Sequence, residues 1–430
     1  MPVGDTIMAL SSGALPAGVA VIRLSGPKVR TSLEILADGV PEPRRMALRP
    51  IGSERQLDHG LVVFFPGPHS FTGEDCAELH VHGSIAGVKA ILSALGEQGL
   101  RLAEPGEFTR RAFENGKLDL LAVEGLGDLL AADTEKQRQQ ALSRYDGKLT
   151  REVDTWRDML LDLRAEIEAR LDFSDEGDVS EDLPANWIHQ LAALESAITK
   201  ALASVESGRI VREGIRVALA GAPNTGKSSL INALAKSDIA IVSDEAGTTR
   251  DVREMPLDIG GQLFILLDLA GLRETESRAE AEGIRRAQQA IESADILLWL
   301  RAPDVDDAMR PTNNGKQIVV GTKVDLAQSA DVDLSISTRT GEGVSALIER
   351  LANLGEALSG GEPALVSHER DRLALSEALA ALAETRSSLS DWELAAESLR
   401  RASTALERLI GRLDAERVLD RLFASFCIGK

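Results

Sequence analysis

The residues best suited to chemistry lie between Gly221 and Ser229, where the chain reads GAPNTGKSS. The spacing is G-x-x-x-x-G-K-S, directly after the apolar run IRVALA and directly before the helical INALAKS. Such glycines let a backbone wrap closely round phosphate oxygens, with amides pointing inward and a helix N-terminus behind them. Lys227 would neutralise the β- and γ-phosphates of a nucleotide, and the Ser228 hydroxyl would take Mg²⁺. Asn224, Thr225, Gly226 and Ser229 complete the loop.

Four further segments, in order, narrow the nucleotide to GTP. GTTRD follows, with Gly247, Thr248 and Thr249; the Thr249 hydroxyl could complete a metal shell. DLAG (Asp268, Leu269, Ala270, Gly271) ends an apolar run, where a carboxylate near Mg²⁺ and a γ-phosphate-sensing amide are needed. TKVD supplies Thr322, Lys323 and Asp325. A carboxylate at Asp325 can accept both the N1–H and the 2-amino N–H of guanine, a pair that adenine cannot offer. STRTGEG brings Ser337, Thr338 and Arg339 to where an amide would read the guanine O6. Leu272 stands where some GTPases carry a water-positioning Gln, so another group, from the carboxylates of RETESRAEAEG, must orient the water. No arginine finger is assignable; Arg250 and Arg273 read as structural or switch residues. A monovalent cation near Asn224 could supply the missing positive charge.

The elements that must hold these residues follow from periodicity. IRVALA, LFILLDL, ADILLWL and QIVVGTKVDL alternate with helical stretches, the pattern of parallel βαβ units. Before them, VAVIRL, LVVFF and AELHVHG are strand-like, with a helix near Val88 to Leu95. From about Asp119 the spacing turns helical and continues so to about Val205, broken by the acidic SDEGDVSEDLPAN. After LSGGEP it is helical again. The expected fold is therefore α/β multidomain, with a nucleotide-binding domain at 213–360 inserted into a helical domain made of 119–212 and 361–430, all preceded by an α+β domain at 1–118.

Composition is that of an ordinary packed protein, 43% hydrophobic and 27% charged. No apolar run approaches membrane-helix length and the N-terminus lacks a signal-peptide pattern, so the expectation is a cytoplasmic protein with no membrane partner. Two cysteines, Cys76 and Cys427, make neither a disulfide framework nor a four-ligand zinc set. His80 and His82 share one strand face without a third ligand in view. A net charge of −20 argues against a protein that coats nucleic acid, and would confine any RNA contact to a local basic patch.

Taken together with DTIMAL, VAVIRLSG, FPGPHSFTGEDCAELHVHG, PGEFTRRAFENGKLDL and a closing FCIGK, these motifs resemble the MnmE (TrmE) family of tRNA modification GTPases over nearly all 430 residues. The resemblance implies an N-terminal domain that binds a tetrahydrofolate derivative (5-formyl or methylene form) and dimerises, a helical middle, and a Ras-like P-loop domain activated by K⁺ when two copies meet. It implies a homodimer that joins MnmG (GidA), an FAD- and NADH-using partner, in a heterotetramer. Together they would modify carbon 5 of the wobble uridine of certain tRNAs to aminomethyl or carboxymethylaminomethyl forms.

Carried over motif by motif, folate contacts fall on Arg23, Glu78, Lys117 and Lys430. Mg²⁺ falls on Ser228 and Thr249, and K⁺ on Asn224, Ser243, Glu245 and Thr248, with Asp244 and Ala246 in the same nucleotide-contacting stretch. Glu280 aligns with the water-orienting carboxylate, and Glu282 is its rival on residue type. Cys427 could act as a nucleophile or proton donor, or simply pack. The chain departs from the family pattern in DLAG for DTAG, TKVD for NKxD, and SSGALPAG for the usual TPPG stretch.

Overall fold

The computed structural model describes residues 4–172, 183–241, 253–268, 285, 288–306, 315–361, 364–412, 422, 423, 426 and 429. The chain divides into two compact units, one of residues 1–127, 150–157 and 400–430 and one of residues 128–149 and 158–399.

The first unit is built on a six-stranded sheet. Its strands are β1 (Ile7–Leu10), β2 (Ala17–Ser25), β3 (Ala47–Gly52), β4 (Gln56–Phe65), β5 (Cys76–Gly83) and β6 (Arg101–Leu102). They lie in the order β3-β4-β5-β2-β1-β6, antiparallel throughout except for the parallel β1/β6 pair. Alternation decides which face each side chain takes. In β2, Ala20, Ile22 and Leu24 are fully buried, while Val21 and Arg23 point to the other face. The buried set packs with Phe64 and Leu79 against helices Val29–Leu36 and Ile85–Glu97, through Leu33, Val88, Ile91 and Leu95. The Ser84 hydroxyl caps the second of these helices by accepting from the Gly87 amide at 3.0 Å.

A short helix, Glu107–Glu114, is fastened to the sheet by charge. Arg101 binds Asp5 and Glu107, and Arg111 binds Asp5, Glu74 and Glu107 at 2.7, 3.1 and 3.0 Å. Burial raises the Asp5 and Glu107 carboxyls, but the surrounding guanidinium groups outweigh it and hold both below the ordinary range.

The second unit contains a second six-stranded sheet: β7 (Ile215–Gly221), β8 (Arg253–Ile259), β9 (Gln262–Asp268), β10 (Ile296–Arg301), β11 (Lys316–Gly321) and β12 (Leu334–Ser335). The order is β12-β11-β10-β7-β9-β8, parallel except that β8 runs antiparallel to β9. β7 reads as a continuous apolar run because both its faces are covered. Val217 and Leu219 meet Leu230, Leu234, Leu347 and Leu351 on one side, while Ala218 and Ala220 meet Leu267, Leu297 and Trp299 on the other.

The stretch expected to be one long helical run is three helices, Leu120–Leu130, Glu135–Tyr145 and Lys148–Asp172, the last shared by both units. Thr134 breaks the first join: its amide donates to the Gln137 side chain, a start signal embedded in helical spacing. Gly147, at φ +74°, breaks the second. Helices Trp187–Ala203, Val205–Glu213 and Glu369–Ser387 complete the frame of this unit, and Trp392–Leu409 again spans both.

Candidate nucleotide and ligand sites

The phosphate loop leaves the C-terminal end of β7, where neighbours β9 and β10 continue the chain in opposite directions across the sheet. Such a switch point opens a crevice beyond the strand ends. Gly221 has φ +153°, and a Cβ there would lie 2.5 Å from the Leu300 carbonyl oxygen. Gly226, at φ +91°, then starts helix Lys227–Ala235 from a left-handed conformation that other residues rarely adopt. Asn224 shares that region at φ +66° and is exposed.

Lys227 folds its ammonium back over the loop, donating to the carbonyls of Gly221 and Ala222 at 2.9 and 2.8 Å. Ser228 and Ser229 are exposed on the first turn, whereas Thr225 is buried and donates to the Ala222 carbonyl at 2.8 Å. Asp268 ends β9, 9% exposed.

The TKVD segment joins this loop directly. The buried Thr322 hydroxyl donates to the Thr225 carbonyl at 2.7 Å and lies 3.1 Å from the Arg301 carbonyl. Lys323, at φ +55°, places its ammonium 2.9 and 2.7 Å from the Asp304 carboxylate oxygens. One Asp325 oxygen accepts from the buried Ser337 hydroxyl at 2.7 Å, and the other lies 3.6 Å from exposed Arg339. Thr338 stands between those two on the same loop. The structure therefore gathers Asn224, Thr225, Gly226, Lys227, Ser228, Ser229, Asp268, Thr322, Lys323, Asp325 and Ser337 at one end of the sheet. Ser243, Asp244, Glu245, Ala246, Gly247, Thr248, Thr249, Leu269, Ala270, Gly271 and Glu280 lie outside the described residues, as does Glu282. The oxygens of Ser228, Asn224 and Asp268 are of the type that hard cations such as Mg²⁺ and K⁺ take.

A second site lies within the first unit, on the sheet face opposite helices Val29–Leu36 and Ile85–Glu97. A cavity of about 400 Å³ is lined by Arg23, Phe71, Cys76, Glu78 and Thr109, with Arg44 and His69 also contributing. Arg23 and Glu78 sit opposite each other on β2 and β5. The guanidinium reaches one carboxylate oxygen through Nε at 3.1 Å and Nη2 at 2.9 Å, and His80 approaches the other at 3.1 Å. Rings of Phe71 and Phe108 each lie 5.8 Å from the Arg23 guanidinium. The Gly429 carbonyl accepts from Ser11 at 3.0 Å and lies 3.5 Å from Arg23 Nη1. Lys430 and Cys427 are outside the described residues. Lys117 is exposed and stands outside the cavity lining, with its stem against Gly73. The cavity's size, aromatic walls and ion pair suit a heterocycle carrying hydrogen-bond donors.

Sequence reading did not find Arg44, His69, Phe71 or Thr109 as lining residues; only the FTGED-type turn around Phe71 offered a signal. His82 pairs with Asp58 at 2.7 Å, and among the described residues no cluster of three His, Cys, Asp or Glu could hold a metal.

A parallel-rich sheet with a glycine loop on its central strand, joined through Thr322 to a carboxylate poised for a base, defines a P-loop nucleotide-binding protein of the GTPase class. Residues 120–427 match the model of the MnmE helical domain, and residues 6–117 match that of the GTP-binding protein TrmE N-terminus. The tRNA modification GTPase MnmE of Azorhizobium caulinodans is 49% identical over 434 residues, covering 99% of each chain. Those of Rhizobium etli and Brucella anthropi are each 47% identical, over 99% of this chain and 99% and 98% of theirs. The chain belongs to the MnmE (TrmE) family.

Proposed function

We propose that this chain hydrolyses GTP and, with an FAD- and NADH-dependent MnmG (GidA) partner, modifies carbon 5 of the wobble uridine of certain tRNAs with a one-carbon unit from tetrahydrofolate. The observation that carries the GTPase reading is the junction of Lys227, Thr322 and Asp325 at one sheet end. Lys227 would exchange its carbonyl partners for phosphate oxygens. Asp325, held by Ser337, would read guanine, with Lys323, Thr338 and Arg339 around the base. Glu280 would hold the attacking water, with Glu282 as its rival.

Ser228 and Thr249 would hold Mg²⁺, and Asn224, Ser243, Glu245 and Thr248 would hold K⁺. When bound, such cations offset the negative charge that develops on phosphate oxygens. Arg23, Glu78, Lys117 and Lys430 would hold the folate, the Glu78 carboxylate facing pterin N–H groups and the cations facing its acidic tail. Cys427 would serve the uridine or a one-carbon adduct. The chain would work as a cytoplasmic homodimer; among the described residues no helix is long and apolar enough to cross a membrane. The domains would be 1–118, 119–212, 213–360 and 361–430.

Two measurements test this. Mass spectrometry of tRNA nucleosides from cells lacking the protein should show loss of the 5-substituted wobble uridine; an unchanged profile leaves only a molecular switch. GTP turnover should be much faster in K⁺ than in Na⁺ buffer, and equal rates would remove the K⁺ site.

A further inference from the structure

The cavity of the first unit holds more positive charge than its ion pair uses. Among the described residues Arg23 and Arg44 line it against a single carboxylate, Glu78, with the His69 ring beside them. Arg23 is committed to that carboxylate. Arg44 is not: among the described residues its guanidinium pairs with no carboxylate, donates instead to the His69 backbone carbonyl, and lies 6.0 Å from the Phe65 ring centroid. Its backbone sits at φ +62°, a region uncommon for a residue with a side chain. The Arg44 amide donates to the Phe64 carbonyl at 2.8 Å, which fixes this conformation to the end of β4. The main chain is thus pinned while the guanidinium stays exposed at the cavity's side.

A fork of donors held beside an aromatic ring, in no ion pair among the described residues of a chain of net charge −20, is built to receive an anion. We propose that Arg44 is a specificity-determining residue that binds the carboxylates of the ligand's tail, the glutamate or polyglutamate of a reduced folate, with His69 beside it. This assignment rests on the folate reading above. It divides the cavity in two: Glu78 meets the donors of the ring system, and Arg44 selects for the acidic chain attached to it.

Full-length protein titrated with three probes tests the division: 5-formyltetrahydropteroate, which lacks glutamate, 5-formyltetrahydrofolate, and its triglutamate. Wild type should bind the triglutamate more tightly than the tail-less probe. Arg44→Gln keeps an unbranched side chain at the positive φ. It should weaken both glutamate-bearing probes about tenfold, some 1.4 kcal/mol, and leave the tail-less probe unchanged, which also reports that the cavity is intact. Arg44→Lys should recover part of the loss. Equal weakening of all three probes, or none, overturns the role of Arg44 while the folate reading stands. Failure of wild type to bind any of the three overturns the folate reading and the role of Arg44 with it.

Discussion

The Thr322 hydroxyl ties the base-reading segment to the phosphate loop, so its removal should loosen both. Thr322→Val preserves shape and burial but deletes the donor to the Thr225 carbonyl at 2.7 Å. Thr322 is 3% exposed and Thr225 2%, so no water replaces the lost partner. A buried carbonyl left without a donor costs about 1–3 kcal/mol. If most of that falls on the nucleotide-competent loop, affinity should fall about 5- to 150-fold, at 1.4 kcal/mol per decade. Titration with a fluorescent guanine nucleotide measures it, and a thermal melt checks that the sheet survives. Thr322→Ser keeps the hydroxyl and should bind within about threefold of wild type. Wild-type affinity in the valine variant, or equal losses in both variants, would refute a tie between the two loops.

Other consequences can be checked in parallel. Glu280→Ala should suppress GTP turnover while leaving nucleotide affinity nearly intact; unchanged turnover would move the role to Glu282 or elsewhere. Arg144 and Asp371 are both fully buried and 2.8 Å apart, so Asp371→Ala should destabilise the second unit by about 3–5 kcal/mol, seen as a lower melting temperature, while Arg144→Met with Asp371→Leu should recover most of it. Asp5 and Glu107 titrate below their ordinary values of 3.8 and 4.5 in the folded chain. Their contribution to stability is therefore complete above those values and is lost as pH falls through the lower, folded ones. Melting temperature should drop below about pH 4.5, less steeply in Glu107→Gln; parallel curves would exclude the cluster as the cause.

The βαβ alternation was legible from sequence because a strand covered on both faces must be apolar along its length, as β7 is. The phosphate loop was legible because its glycines stand at fixed offsets from that strand. What periodicity could not show was pairing across long separations. Arg23 and Glu78 are 55 residues apart and are neighbours only because β2 and β5 adjoin. Arg144 and Asp371 are 227 apart, each inside an ordinary charged helix. The break at Thr134 was hidden because a Thr and a Gln three residues on fit helical spacing as well as they fit a start signal. Lys117 was assigned to the folate by motif; its exposed side chain lays its stem against Gly73, outside the residues that line the cavity.

Helix Glu135–Tyr145 grips the chain on both sides of the α/β sheet. Gln137 donates to the Arg212 carbonyl at 2.9 Å, Gln140 to those of Gly208 and Ala364 at 3.1 and 2.7 Å, and Arg212 to that of Ser367 at 3.1 Å. The two strands of chain that lead into and out of the sheet thus leave through one narrow neck, side by side. A segment whose ends already lie side by side can be lifted out or exchanged without stretching the chain around it. A short bridge from residue 212 to residue 367 should leave the remaining helices able to close on themselves, and the excised sheet should be portable as a nucleotide-sensing cassette.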